Sequence, residues 1–322
     1  GFDHDMAVDK WGRVHIAYYE LDSGNLRYVR RTADGWNKMT IDDAYDAGQD
    51  VSIALDADQM PHVTYYNHDD GSLKYGFYDG TRWFSEPLGV EDTALNNDLE
   101  IDSAGTLHLI FRDDADNLQH ANLEPGTSDW VSRPIDESAA LCTRPDLGID
   151  SEETLHVVYY CEDFSESTQV VKYAVREANG SWSTETIPHA GDMRVGGHPS
   201  LVLDSADSPH VSYQDFTNRA IRYAHISGGA WTSDVVESYT EHPDRSSIAM
   251  YDNGQVQIVI LTGAGNVDSR TRFEGDWLTA TYHDGGTAEF EIDSVIDMQN
   301  RFFYTFHDSQ SGALWFESLP GL

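Results

Sequence analysis

Lysine is nearly missing from this chain. Only Lys10, Lys38, Lys74 and Lys172 occur in 322 residues, and Lys and Arg together number 20 against 56 acids, a net charge of −36. Such a surface repels nucleic acid and anionic membranes, so neither is expected as a partner. Cation-scarce, acid-rich composition points to a salty or cation-rich exterior. No run reaches the ~18 apolar residues of a membrane helix, so membrane insertion is not expected. The chain opens at "GFDHDMAVD" without a basic n-region or an apolar h-region, so either it never had a signal peptide or this is the trimmed, mature form; the expectation is the mature form, extracellular or periplasmic. HExxH, CxxC, Walker A, GxGxxG after a strand and GxSxG are all missing, which argues against zinc peptidase, nucleotide-binding and covalent serine-hydrolase chemistry. Cysteine occurs twice, at Cys142 and Cys161. Both fall on segments that read as neighbouring strands, in slightly diagonal register, which leaves a disulfide and two free thiols both open. A bond would imply an oxidising compartment.

What is present is a repeat. Asp-x5-His recurs as Asp9/His15, Asp56/His62, Asp102/His108, Asp150/His156 and Asp204/His210. Each aspartate closes a β-rich run ("MAVD", "SIALD", "LVLD") and each histidine opens another ("HIAYY", "HVTYY", "HVSYQ"). Two weaker copies follow, "SIAMYDNGQVQIVIL" and "EFEIDSVIDMQNRFFYTF". A third run ("NLRYV", "SLKYG", "AIRYA") and a fourth beginning at a tryptophan complete each copy. Six of the eight tryptophans (Trp36, Trp83, Trp130, Trp182, Trp231, Trp277) share that position, which makes them packing residues. Helical periodicity is missing, and runs of about five residues alternate with Gly/Asp/Asn/Ser turns. Copies of about 42–54 residues with four short strands each predict propeller blades. The expectation is an all-β, single seven-bladed β-propeller of four-stranded antiparallel blades over 1–322. The blades fall near 1–46, 47–93, 94–140, 141–194, 195–242, 243–284 and 285–322, with the last open to being incomplete.

The blade phrase "LD-x4-PHVxY…LKY…DGxxW" resembles the blades of bacterial secreted seven-bladed propellers, over nearly the whole chain. That class has a common fold and no single activity. "YDGTRW" (78–83) is similar to a shortened Asp box of sialidase-like propellers. "HVTYYNH" (62–68) looks like the H-V-x4-H strand of propeller polysaccharide lyases such as the ulvan lyases, through His62 and His68.

Five symmetric Asp/His pairs cannot be one catalytic constellation, so they are expected to satisfy polar groups at the first hairpin of each blade. Function is expected where the blades differ. Six residues before each aspartate or its equivalent stand Asp3, Asp50, Asn96, Arg144, His198, Arg245 and Thr287. Four residues past the histidine position stand Tyr19, Tyr66, Arg112, Tyr160, Gln214, Leu261 and His307. From these, Arg144, His198, Arg245, Arg112, Tyr19, Tyr66, Tyr160 and His307 are the candidate ligand-binding residues, with blades four to six at the centre. Blade four also carries extra residues around "CEDFSESTQ" and "HAGDMRVGGHP".

Asp98, Glu100, Asp146, Glu289 and Glu291 are candidate oxygen ligands for Ca²⁺, although no DxDxDG spacing occurs. Three functional classes stay open. The favoured one is a secreted, lectin-like propeller binding a carbohydrate or a small polar or anionic ligand. Another is a carbohydrate-active enzyme, lyase or glycosidase-like. It would use Tyr66, His68, Tyr160 or His198 as base and an arginine to neutralise a uronate carboxylate. The last is a structural repeat domain of a larger surface protein. A monomer is expected.

Overall fold

The computed structural model describes residues 3–90, 93–136, 140–164, 167–188 and 194–319. The side chains of residues 93, 94 and 290 lie outside that description, as do parts of both blade-four insertions, at 165–166 and 189–193. The protein is an all-β, seven-bladed β-propeller. Among the described residues the strands form six four-stranded sheets and one three-stranded sheet, each built from strands consecutive in sequence. All pairings are antiparallel, as short hairpin connections require. The three-stranded sheet is the seventh blade, with strands Ala288–Ile296, Phe302–Asp308 and Ala313–Leu319. The chain divides into two compact units, Gly1–Ser138 with blades one to three and Ala139–Leu322 with blades four to seven.

Within each unit the first strands of successive blades pack against one another. These are His4–Val8, Ala47–Leu55 and Thr93–Ile101 in the first unit. In the second they are Leu141–Ile149, Val195–Leu203, Arg245–Met250 and Ala288–Ile296. The first strand is therefore the inner edge of each blade and the fourth is the outer one. The second strands are buried almost throughout: every residue of Phe302–Asp308 is buried, and so is every residue of Val256–Leu261. Apolar cores fill the spaces between consecutive sheets, as where Val171 and Tyr173 of blade four meet Val211 and Tyr213 of blade five.

The repeat residues knit these sheets together. Asp9 accepts the backbone N–H groups of Trp11 and Arg13 at 3.0 and 2.8 Å through Oδ1, which fixes the first hairpin. Its Oδ2 meets His15 Nε2 at 3.3 Å, and the Nδ1 of that ring meets Tyr28 Oη at 2.7 Å. The same chain recurs at Asp150, His156 and Tyr173, with 3.1 and 2.5 Å, and at Asp204, His210 and Tyr223, with 3.3 and 2.5 Å. Asp56, His62 and Tyr75 repeat it at 3.5 and 2.6 Å. Blade three replaces the tyrosine by His120, 3.1 Å from His108. A carboxylate can only accept, so a neutral imidazole donates from Nε2 and accepts the tyrosine hydroxyl at Nδ1. Each tyrosine also meets the fourth-strand tryptophan of the next blade edge-on: Tyr28 with Trp83 at 5.1 Å, Tyr173 with Trp231 at 5.1 Å, Tyr223 with Trp277 at 5.4 Å. The aspartate–histidine phrase is thus one end of a packing line that runs from one blade into the next.

Candidate functional site

Near the start of several first strands the backbone kinks. The register of the first pairing shifts at Gln49/Ser52, Thr143/Asp146, Gly197/Ser200 and Glu289/Ile292. Inside the first three shifts Asp50, Arg144 and His198 adopt left-handed φ values of 45°, 55° and 48°, and Asn96 of blade three sits at 77°. Such bulges turn a side chain out of the strand's alternation. Blade six lacks the shift, and Arg245 there pairs regularly with Leu261.

In the first unit this position holds Asp3, Asp50 and Asn96. Asp50 donates its N–H to Asp3 at 3.3 Å, and Asn96 donates its N–H to Asp50 at 2.8 Å. In the second unit it holds two arginines and a histidine on blades four to six. Arg144 Nη1 donates to His198 Nδ1 at 2.6 Å. Arg245 forms an ion pair with Glu291. Burial, with Arg245 and Arg144 nearby, holds His198 well below the ordinary histidine range, so its ring is neutral at pH 7 and available as an acceptor. Tyr160 lies opposite Thr143 and within the field of Arg144. Burial and the Glu162 carboxylate, which accepts its hydroxyl at 3.2 Å, push that phenol up, so it stays protonated.

The seventh-blade assignment needs correcting. The hairpin aspartate is Asp297, which accepts the Arg301 N–H at 2.8 Å as Asp9 accepts that of Arg13. Six residues earlier stands Glu291, not Thr287. The string "EFEID" imitates the end of a first strand, which hides this. Thr287 lies before the strand, its carbonyl accepting the N–H of Ser309 at 2.8 Å. The sequence therefore signalled Glu291 only as a metal candidate, whereas the structure makes it the partner of Arg245.

Other candidates have partners of their own. Tyr19 donates to Asp46 at 2.6 Å, Arg112 pairs with Asp116, and Tyr66 meets the His68 ring edge-on at 6.3 Å, all in the first unit. His62 and His68 flank opposite ends of the strand Pro61–Asn67, roughly 20 Å apart at about 3.3 Å per residue, so they cannot serve one reacting centre. His307 is buried opposite Glu289. Two of the proposed Ca²⁺ ligands are hydrogen-bonded within their own unit. Asp98 accepts the Leu99 N–H at 3.0 Å and the Ser52 hydroxyl at 2.9 Å, Asp146 accepts the Leu201 N–H at 2.9 Å, and Glu100 is exposed. Among the described residues, none of these acids belongs to a group of three ligand-bearing side chains close enough to share an ion.

The chain matches no protein-family model and no curated protein. It is similar in structure to the BP39L lectin of Burkholderia pseudomallei, with a TM-score of 0.77 at 13% identity, over 98% of this chain and 95% of that one. A polysaccharide lyase, the PL25 ulvan lyase bound to -[GlcA(1-4)Rha3S]-, gives a TM-score of 0.73 at 12% identity, over 97% and 91%. The Aleuria aurantia lectin in complex with α-methyl-L-fucoside gives 0.58 at 14% identity, over 86% and 93%. At these identities the likeness shows the propeller fold.

Proposed function

We propose that the protein is a carbohydrate-binding propeller whose blades four to six recognise an anionic or diol-bearing glycan through Arg144, His198 and Arg245. One observation carries this reading. A chain with 20 cationic side chains and 56 acids places two guanidiniums and a neutral imidazole on three consecutive blades, each six residues before the hairpin aspartate or its equivalent. Glu291 is the ion-pair partner of Arg245. A guanidinium forms paired hydrogen bonds with a carboxylate, a sulfate or a vicinal diol. Support comes from the similar propellers above, two of which are lectins and one of which holds a uronate-containing, sulfated saccharide.

Binding is favoured over elimination chemistry. A lyase base must hold a pKa near the working pH, and here both nearby candidates are displaced the wrong way. Tyr160 is held protonated and His198 is a weakened base whose Nδ1 already accepts from Arg144.

Arg144→Ala and Arg245→Ala should each weaken binding of a glucuronate-containing oligosaccharide at least about tenfold, a loss of roughly 1.4 kcal/mol. Their melting temperatures should stay near wild type, because part-exposed ion pairs contribute only ~0–1 kcal/mol. A glycan array followed by titration calorimetry and melting curves checks this. Unchanged affinity with lost stability would show these arginines to be structural.

A further inference from the structure

A cleft of about 590 Å³ opens in the second unit. Arg194, Gln214, Phe216, His242, Asp244 and Glu289 are among the residues that line it. Its size falls in the ~300–1,000 Å³ range of small-molecule sites. Neither Arg144, His198 nor Arg245 lines it.

Gln214 carries the argument. The residue is 4% exposed, and its amide nitrogen donates to the carbonyls of Pro243 and Asp244, which fixes which way the amide faces. Its Oε1 is buried and has no hydrogen-bond partner. Leaving such an acceptor unmatched is unfavourable, so a ligand bringing a donor would satisfy it.

The backbone beside it is bare by necessity. A Cβ on Gly197 would stand 2.3 Å from the tip of the Phe216 ring and 2.4 Å from Gln214 Oε1. Glycine is therefore what lets the ring and the orphan acceptor lie side by side. The Phe216 and His242 rings are 6.5 Å apart and tilted by 53°, an open pair rather than a closed stack. Asp244 and Glu289 add further acceptors. The lining at Gly263 and Gly265 is also stripped of side chains: a Cβ on Gly263 would meet the His242 carbonyl at 2.2 Å, and one on Gly265 would meet Gly286 at 2.7 Å.

An apolar ring face, a buried acceptor and surrounding carboxylates call for a flat C–H surface edged with O–H donors. We infer that this cleft is a second ligand site, taking the ring of a neutral hexopyranose. The sugar face lies on Phe216 and one hydroxyl donates to Gln214 Oε1. The site borders the guanidinium cluster, since Gly197 precedes His198 and Asp244 precedes Arg245 in the chain, but none of the three cluster side chains lines it. Nor is it a generic feature of the repeat. In the first unit a smaller cleft, about 450 Å³, has Tyr19 and Leu21 where Gln214 and Phe216 stand, and the Tyr19 hydroxyl is already matched by Asp46 at 2.6 Å.

Saturation-transfer NMR and titration calorimetry with the methyl glycosides of glucose, galactose, mannose and L-fucose, at millimolar concentration, test the site. At least one glycoside should bind, with saturation strongest on the C–H protons of one ring face. Phe216→Ala should weaken it about tenfold. Phe216→Leu, which keeps apolar bulk and removes the ring, should weaken it less and guards against a folding defect. The inference is overturned if no glycoside binds the wild type, or if binding survives both Phe216 variants.

Discussion

A buried aspartate, histidine and hydroxyl in line suggest a hydrolytic triad, and five blades carry the first two residues. The terminal hydroxyl decides otherwise. Tyr28 is 1% exposed and burial pushes its phenol above the ordinary range, so it is neither accessible nor easily ionised. What the line does have is a pH signature. Burial outweighs the pull of the Asp9 carboxylate and lowers His15 to about 4 from an ordinary 6.5. The unfolded chain therefore takes up a proton near pH 6.5 that the folded chain refuses until near pH 4. Stability is whole at neutral pH and falls as the pH drops through that window, by roughly 3 kcal/mol for this residue at about 1.4 kcal/mol per unit. Burial raises the Asp9 carboxyl, but hydrogen bonds from Arg13 and His15 outweigh it and leave it below its usual value. Protonating Asp9 at still lower pH thus removes stability in the same direction. Urea midpoints measured from pH 7 to pH 4 should fall steadily, and His15→Gln should flatten the curve. A flat wild-type profile would contradict the assignment. The structural role of these histidines was legible because their spacing repeats. Their hydroxyl partners were not: Tyr28 stands in the repeated third-strand phrase, but only the strand pairing brings it to His15.

At the scale of strands, legibility ends at the bulges. Cys142 and Cys161 look diagonal when the first two strands of blade four are aligned from the Gly148–His156 pair. The register shift between Thr143 and Asp146 removes the offset and sets the cysteines directly opposite, with Cα atoms 4.2 Å apart and a disulfide between them. One extra residue in a strand leaves no compositional mark, so the sequence left the bond open. Intact mass with and without reductant should differ by the two hydrogens of one bond. Replacing both cysteines by serine should cost about 2–4 kcal/mol, read as a lower urea midpoint at unchanged slope. Free thiols in the native protein would refute the pairing. The same blindness explains Thr287. Asp293 and Asp297 both end plausible strands, and only hairpin hydrogen bonds distinguish them.

For the whole molecule, the fold was readable because a propeller states its unit seven times, while a binding site is stated once. Net charge acts at this scale too. With −36 charges, self-repulsion opposes compaction, and the few cations are already committed: Lys38 and Arg27 to Glu20, Arg222 to Asp215, Arg301 to Asp297. Raising salt from about 0.01 to 1 M shortens the screening length from roughly 30 to 3 Å. The melting temperature should therefore rise with sodium chloride across that range. A fall would mean that these ion pairs outweigh the general repulsion.

The left-handed bulge has a consequence for how such a protein can change. Asp50, Asn96, Arg144 and His198 occupy a conformation that glycine adopts freely and that other residues enter at a cost of about 1–2 kcal/mol each. Mutation biased only by stability would drift these positions towards glycine. An arginine and a histidine there forgo that freedom. The kink is fixed by backbone, so the residue it carries can be exchanged without disturbing the ladder around it. Each bulged blade thus offers one position where new specificity can arise while the scaffold stays the same.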